Sequence, residues 1–143
     1  MKKMICLVVI ALMIASVTCA AAKKITPKDL AGLKGTWEGM LDFGLMGAQA
    51  ASSPCKLEIL NDAVPVHIIL TISNIPDFVA QQVGISGGTK VFESYDGVIT
   101  SQGTLMWKGS QDTFLEISMG EKRLSGPYWF RMVKGSVSLK RKK

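Results

Sequence analysis

The sequence predicts an all-β domain: a single antiparallel meander of about eight strands, closed into a barrel and carrying two short helices. Three observations predict it. Apolar and polar residues alternate with period two in run after run, as in Cys55-Lys56-Leu57-Glu58-Ile59 and Leu115-Glu116-Ile117-Ser118-Met119. That pattern gives each strand one buried and one wet face, as in antiparallel sheets. The runs are separated by short stretches of turn-forming residues, so consecutive strands should be neighbours. A meander of that many strands hides its unpaired edges most simply by closing on itself.

The elements follow in order. Thr26-Pro27-Lys28-Asp29 places a capping threonine, a proline at the first helical position and an acid at the third, which opens a short helix ending near Gly32. Strands are expected at 36–43, 54–60, 65–73, 90–95, 98–108, 112–119, 122–133 and 136–141. Between the first two, Gly44 to Ser53 is rich in Gly, Ala and Ser and reads as a flexible loop with Leu45 and Met46 at its tip. Ile75, Phe78, Val79 and Val83 recur at helical spacing after Asn74-Ile75-Pro76-Asp77, giving a second helix that ends at Gly84. Asp96-Gly97 is the strongest two-residue hairpin signal in the chain, and Lys134-Gly135 reads as a further reversal.

The domain is expected to span residues 23–143, because residues 1–22 read as a signal peptide. Lys2 and Lys3 precede an apolar run of 14 residues (4–17), and Cys19-Ala20-Ala21-Ala22 supplies small residues for cleavage. The run is well short of the ~20 residues a spanning helix needs. A soluble protein, periplasmic or secreted, is expected. Lipoprotein anchoring through Cys19 is the lesser alternative, since Ser16 and Thr18 depart from the usual acylation pattern.

Charge and reactive residues narrow the function classes. The chain is net +6, and four of its Lys and Arg are the last four residues, Lys140, Arg141, Lys142 and Lys143. Such a cluster suits an anionic membrane surface or a solvated end, and an exported protein is not expected to meet nucleic acid. Cys55 is the one cysteine after residue 22, so no internal disulfide is expected, and its place on an alternating strand marks it as a small core residue. His67 is the only histidine, which disfavours a His-rich zinc site. Acidic residues are scattered singly, and no nucleophile motif appears. Neither an enzyme nor a cofactor is expected, and no metal site.

Glycine paired with tryptophan is the remaining motif: Gly35-Thr36-Trp37, Gly103-Thr104-Leu105-Met106-Trp107 and Gly126-Pro127-Tyr128-Trp129. Glycine lets a coiled strand bend, and an indole can close a barrel end. A short helix followed by Gly-x-Trp on strand one resembles the lipocalin and avidin superfamily of calycins, and the chain has the look of small exported bacterial proteins of lipocalin-like type. The resemblance covers residues 26–41. It implies a basic residue late in the barrel packed on Trp37, either Arg131 or Arg141. The avidin branch carries an asparagine two residues after the tryptophan; Gly39 stands there, so biotin binding is not carried over.

The resemblance implies binding of a small apolar ligand inside the barrel, with Trp37, Phe43, Leu45, Met46, Phe78 and Tyr128 as candidate ligand-binding residues. The alternative is a non-catalytic envelope interaction module with a solid core, acting through its outer face, where Met40, Leu60 and Ile69 are expected to be exposed. A void of several hundred cubic ångströms would favour the binder, and a packed interior the module.

Overall fold

A computed structural model describes residues 21–46, 49–86, 88–109 and 112–143. The expected signal peptide, Cys19 included, lies outside the described residues up to residue 20. Among the described residues eight strands run in sequence order and close into a barrel: β1 (Gly35–Met46), β2 (Gln49–Ile59), β3 (Val66–Ile72), β4 (Lys90–Ile99), β5 (Leu105–Lys108), β6 (Thr113–Met119), β7 (Arg123–Phe130) and β8 (Val133–Arg141). Every pairing is antiparallel, and β8 returns to β1 with Trp37 opposite Arg141 and Leu41 opposite Val137.

Two helical segments cover the ends. At the end we call the floor, a 3-10 turn (Pro27–Asp29) runs into α1 (Leu30–Leu33), which buries Leu30 and Leu33. The capping residues act as expected: Asp29 Oδ2 accepts from Thr26 N at 2.9 Å and from Thr26 Oγ1 at 2.7 Å. With Lys23 Nζ 2.7 Å from its other oxygen, Asp29 is held down at about 2, the Lys23 hydrogen bond being the largest cause and the Thr26 bonds next. At the opposite end, the roof, α2 (Asp77–Val83) follows β3 and buries Val79, Ala80 and Val83.

Between them the alternating inward residues make one core, including Leu41, Leu57, Leu70, Leu105, Ile117, Leu124 and Leu139, each 0–1% exposed. Cys55 is buried in it, as its position on β2 predicts. Desolvation raises its thiol to about 12.

Three local expectations are corrected. Gly44 to Ser53 is not a loop, because β1 continues to Met46 and β2 begins at Gln49, with Leu45 paired to Ala50. Small residues there serve a tight two-strand corner instead; Ala51 and Ser53 are buried on it.

Asp96-Gly97 does not reverse the chain either. It lies within β4, where Val66 faces Gly97 and Ile68 faces Ser94, so Tyr95 and Asp96 of β4 oppose the single residue His67 of β3 in a bulge. Gly97 is needed for close approach, since a β-carbon there would run into Trp107 Nε1 and stand 2.7 Å from Val66 O. The actual reversal is five residues on, where Thr100 N donates to Thr104 O and Gly103 N to Thr100 O, both at 2.9 Å.

Lys134-Gly135 is likewise inside a strand, and the turn is Arg131-Met132, with Phe130 paired to Val133. Gly135 lets β8 cross β1, because a β-carbon there would run into the Asp42 carbonyl.

Candidate functional site

The resemblance left two arginines for Trp37, and the structure selects Arg141. Its guanidinium lies 5.3 Å from the Trp37 ring, donates to Lys34 O at 2.6 Å, and also bonds Gly32 O. The indole is 6% exposed and donates from Nε1 to Leu33 O at 2.8 Å. One tryptophan and one arginine thus satisfy the carbonyls at the end of α1, which would otherwise lack partners. Arg131 does a parallel task at the roof, where it bonds Val83 O at the end of α2 and lies over Phe130. Within the terminal basic cluster, which is exposed, Lys140 and Arg141 belong to β8, and Lys142 pairs with Glu38 at 2.7 Å.

The space beneath α2 is filled. Phe43, Ile72, Ile75, Val79, Val83, Phe130 and Val133 meet there and leave about 10 Å³, no more than the least space that one water needs. Phe43 belongs to this plug, while Phe78 on α2 is partly buried against the core. Leu45 and Met46 end β1, and their side chains lie outside the described residues.

An opening exists elsewhere, through the side wall. β5 is four residues long and pairs with β4 only at Val98–Met106 and Ile99–Leu105, whereas β4 pairs with β3 from Lys90 to Gly97. The upper part of β4 thus stands apart from β5 and β6. A cleft of about 170 Å³ enters between them. Its walls are Ile68, Leu70, Phe92, Trp107, Leu115 and Tyr128, with Lys90 and Glu93 among the polar residues at the margin.

Three features give the cleft its chemistry. Ser94 Oγ lines it and, among the described residues, is buried without a hydrogen-bond partner. An orphaned hydroxyl of this kind costs about 1–3 kcal/mol. Tyr128, 1% exposed, has its phenol pushed up, chiefly by desolvation, and stays a neutral hydroxyl. Trp107 is 1% exposed with its Nε1 already committed to Val66 O at 3.1 Å, so only its apolar surface is available.

Outside the wall, His67 stacks on Tyr95 with centroids 4.0 Å apart. Both reach Glu93 Oε1, at 2.8 and 2.7 Å. Glu93 is lowered by these bonds, that from Tyr95 first, and Tyr95 is raised by the same contact.

Of the residues expected from sequence, the structure brings Tyr128 to the cleft, Phe43 to the roof plug and Trp37 to the floor. The tryptophans divide differently from expectation. Trp37 alone closes an end, Trp107 lines the side cleft, and Trp129 faces outward, 43% exposed against Phe114 and Lys134. Sequence reading missed Ser94 and Phe92. A signal for them does exist in β4, where Val91 and Tyr95 are 55% and 59% exposed while Ser94 turns inward. That inversion of the usual pattern marks a place where folding preference yields to something else. No family model, curated protein or solved structure matches this chain.

Proposed function

We propose that this protein is a non-catalytic binder of a small, mainly apolar ligand, taken up through the slot between β4 and β5–β6. The observation that carries the reading is the unpartnered Ser94 hydroxyl buried in a cleft walled mainly by aromatic and aliphatic side chains, with Lys90, Glu93 and Thr113 as its other polar lining. A volume of about 170 Å³ is close to the ~150 Å³ of an apolar cavity that accepts benzene. The ligand is therefore one ring, or the tip of a longer chain, with one group that can hydrogen-bond Ser94. A strongly charged ligand is disfavoured, because desolvating it costs far more than these walls return. The residue order of positions 1–22 supports export, so the ligand would be met in the periplasm or outside the cell.

A phenol titration tests this. Binding of p-cresol beside Trp107 should change tryptophan emission saturably, while Ser94→Leu, which fills the cleft and removes the hydroxyl, should abolish the change with the far-ultraviolet spectrum intact. Toluene should bind more weakly than p-cresol. No saturable change with either probe, or equal binding by Ser94→Leu, would leave the packed barrel acting through its outer surface as the surviving reading.

A further inference from the structure

The charge of this barrel is gathered at the floor. The segments that meet there, 23–34, 60–66, 100–104, 120–123 and 140–143, carry ten Lys and Arg against three Asp and Glu. The roof segments 42–50, 73–90, 108–113 and 130–134 carry four against three. Hydrogen bonds draw the floor segments together: Lys23 N donates to Met119 O and Ile25 N to Gly103 O, both at 2.8 Å, and Arg123 faces Lys140 across β7 and β8. Between the 3-10 turn and the β6–β7 turn they frame an open groove of about 350 Å³, with Lys23, Lys28, Lys122 and Arg123 along it beside Asp29 and Glu121. Of the three acids, Asp29 is paired with Lys23, and Lys142 reaches outside these segments to Glu38 of β1.

A second observation of a different kind lies at the same end. The β2–β3 connection, at the same end but across the barrel from the β6–β7 turn, exposes Leu60 and Val64, 40% and 48% accessible. Apolar tips on the same end as a group of cations are what an interfacial binder needs: cations meet the headgroups and the tips enter the acyl boundary. A soluble polyanion would use the cations and gain nothing from the tips.

We infer that the floor docks on a bilayer containing anionic phospholipid, its groove holding a phosphate headgroup and Leu60 and Val64 inserted on the other side of the same end. The barrel then stands on the membrane with α2 at the far end and the β4–β5 slot in its side wall open to solvent. The docking is independent of whether the slot binds a ligand.

Co-sedimentation of the full chain with vesicles tests it, using equal parts phosphatidylglycerol and phosphatidylcholine against phosphatidylcholine alone. The readout is the ratio of the two partition coefficients, and residues 1–22 are common to every variant, so their contribution cancels. Each basic residue near an anionic surface is worth about fivefold in partitioning. Lys122→Glu with Arg123→Glu should therefore lower the ratio at least about twentyfold, whereas Lys108→Glu with Lys134→Glu at the roof should leave it nearly unchanged. Leu60→Ser with Val64→Ser should weaken binding to the anionic vesicles several-fold at unchanged charge, and glycerol phosphate should not compete. Equal losses from floor and roof reversals would mean diffuse attraction to net charge and overturn the docking face. Undiminished binding by the Leu60 and Val64 variant, or displacement by glycerol phosphate or heparin, would make the floor a site for a soluble anion and overturn the bilayer. Far-ultraviolet dichroism of each variant confirms that the barrel is retained.

Discussion

Replacing Trp37 by alanine should remove the keystone of the floor. The indole is 6% exposed, under Arg141 and bonded to Leu33 O. A tryptophan buries roughly 150–250 Å², which at about 25 cal/mol per Å² is about 4–6 kcal/mol of transfer free energy. The denatured chain already hides part of that area, so the figure is an upper bound. Truncations of buried aromatics, cavity included, cost about 3–5 kcal/mol, and about 4 kcal/mol is the expected loss here.

For a domain of this length that corresponds to a fall in Tm of about 12–20 °C, or about 2 M in urea midpoint. The control is Trp129→Ala, where the same side chain is 43% exposed on the outer face of β7; its cost should stay near 1 kcal/mol or less. A cycle combining Trp37→Phe with Arg141→Met should show coupling of about 0.5–1 kcal/mol, the range for a cation over an aromatic face at an accessible site. Equal midpoints for Trp37→Ala and Trp129→Ala would refute the reasoning, because burial would then not distinguish the two indoles.

Two further outcomes follow from the core. Gly97→Ala should cost about 1–3 kcal/mol, because the new β-carbon meets Trp107 Nε1 and Val66 O where neither can easily retreat; an unchanged urea midpoint would show that the bulge is slack. Cys55, raised from 9.0 to about 12 by burial, should resist Ellman's reagent in the native state at mildly alkaline pH and react promptly in urea. The sign of the linkage is fixed by the same shift: the unfolded chain loses the thiol proton first, so this contribution to stability is complete below pH 9 and is lost as pH rises toward about 12. Stability that rises over that window on comparison with Cys55→Ala would contradict it.

The alternation of apolar and polar residues determined the class, the number of strands and their order, because a two-residue period admits only one inward face per strand and short turns leave no other neighbour. The helices were equally legible: Thr26 and Asp29 cap one by a purely local bond, and Val79 with Val83 mark the buried stripe of the other. Local signals misled where long-range contacts outweigh them. Asp96-Gly97 has the chemistry of a hairpin, yet its glycine is required by the close approach of Trp107 and Val66, residues far away in sequence. Gly135 stands inside β8 for the same kind of reason, set against Asp42 of β1.

The choice of Arg141 over Arg131 was decided only in three dimensions, since closure of β8 on β1 brings residue 141 opposite residue 37. So was the cleft. It exists because β5 is too short to meet the upper half of β4, and pairing length is a property of two strands together that neither strand's own pattern records. The gathering of cations at the floor has the same origin: antiparallel closure carries positions 23–34, 120–123 and 140–143 to one end, and sequence distance gives no measure of that proximity.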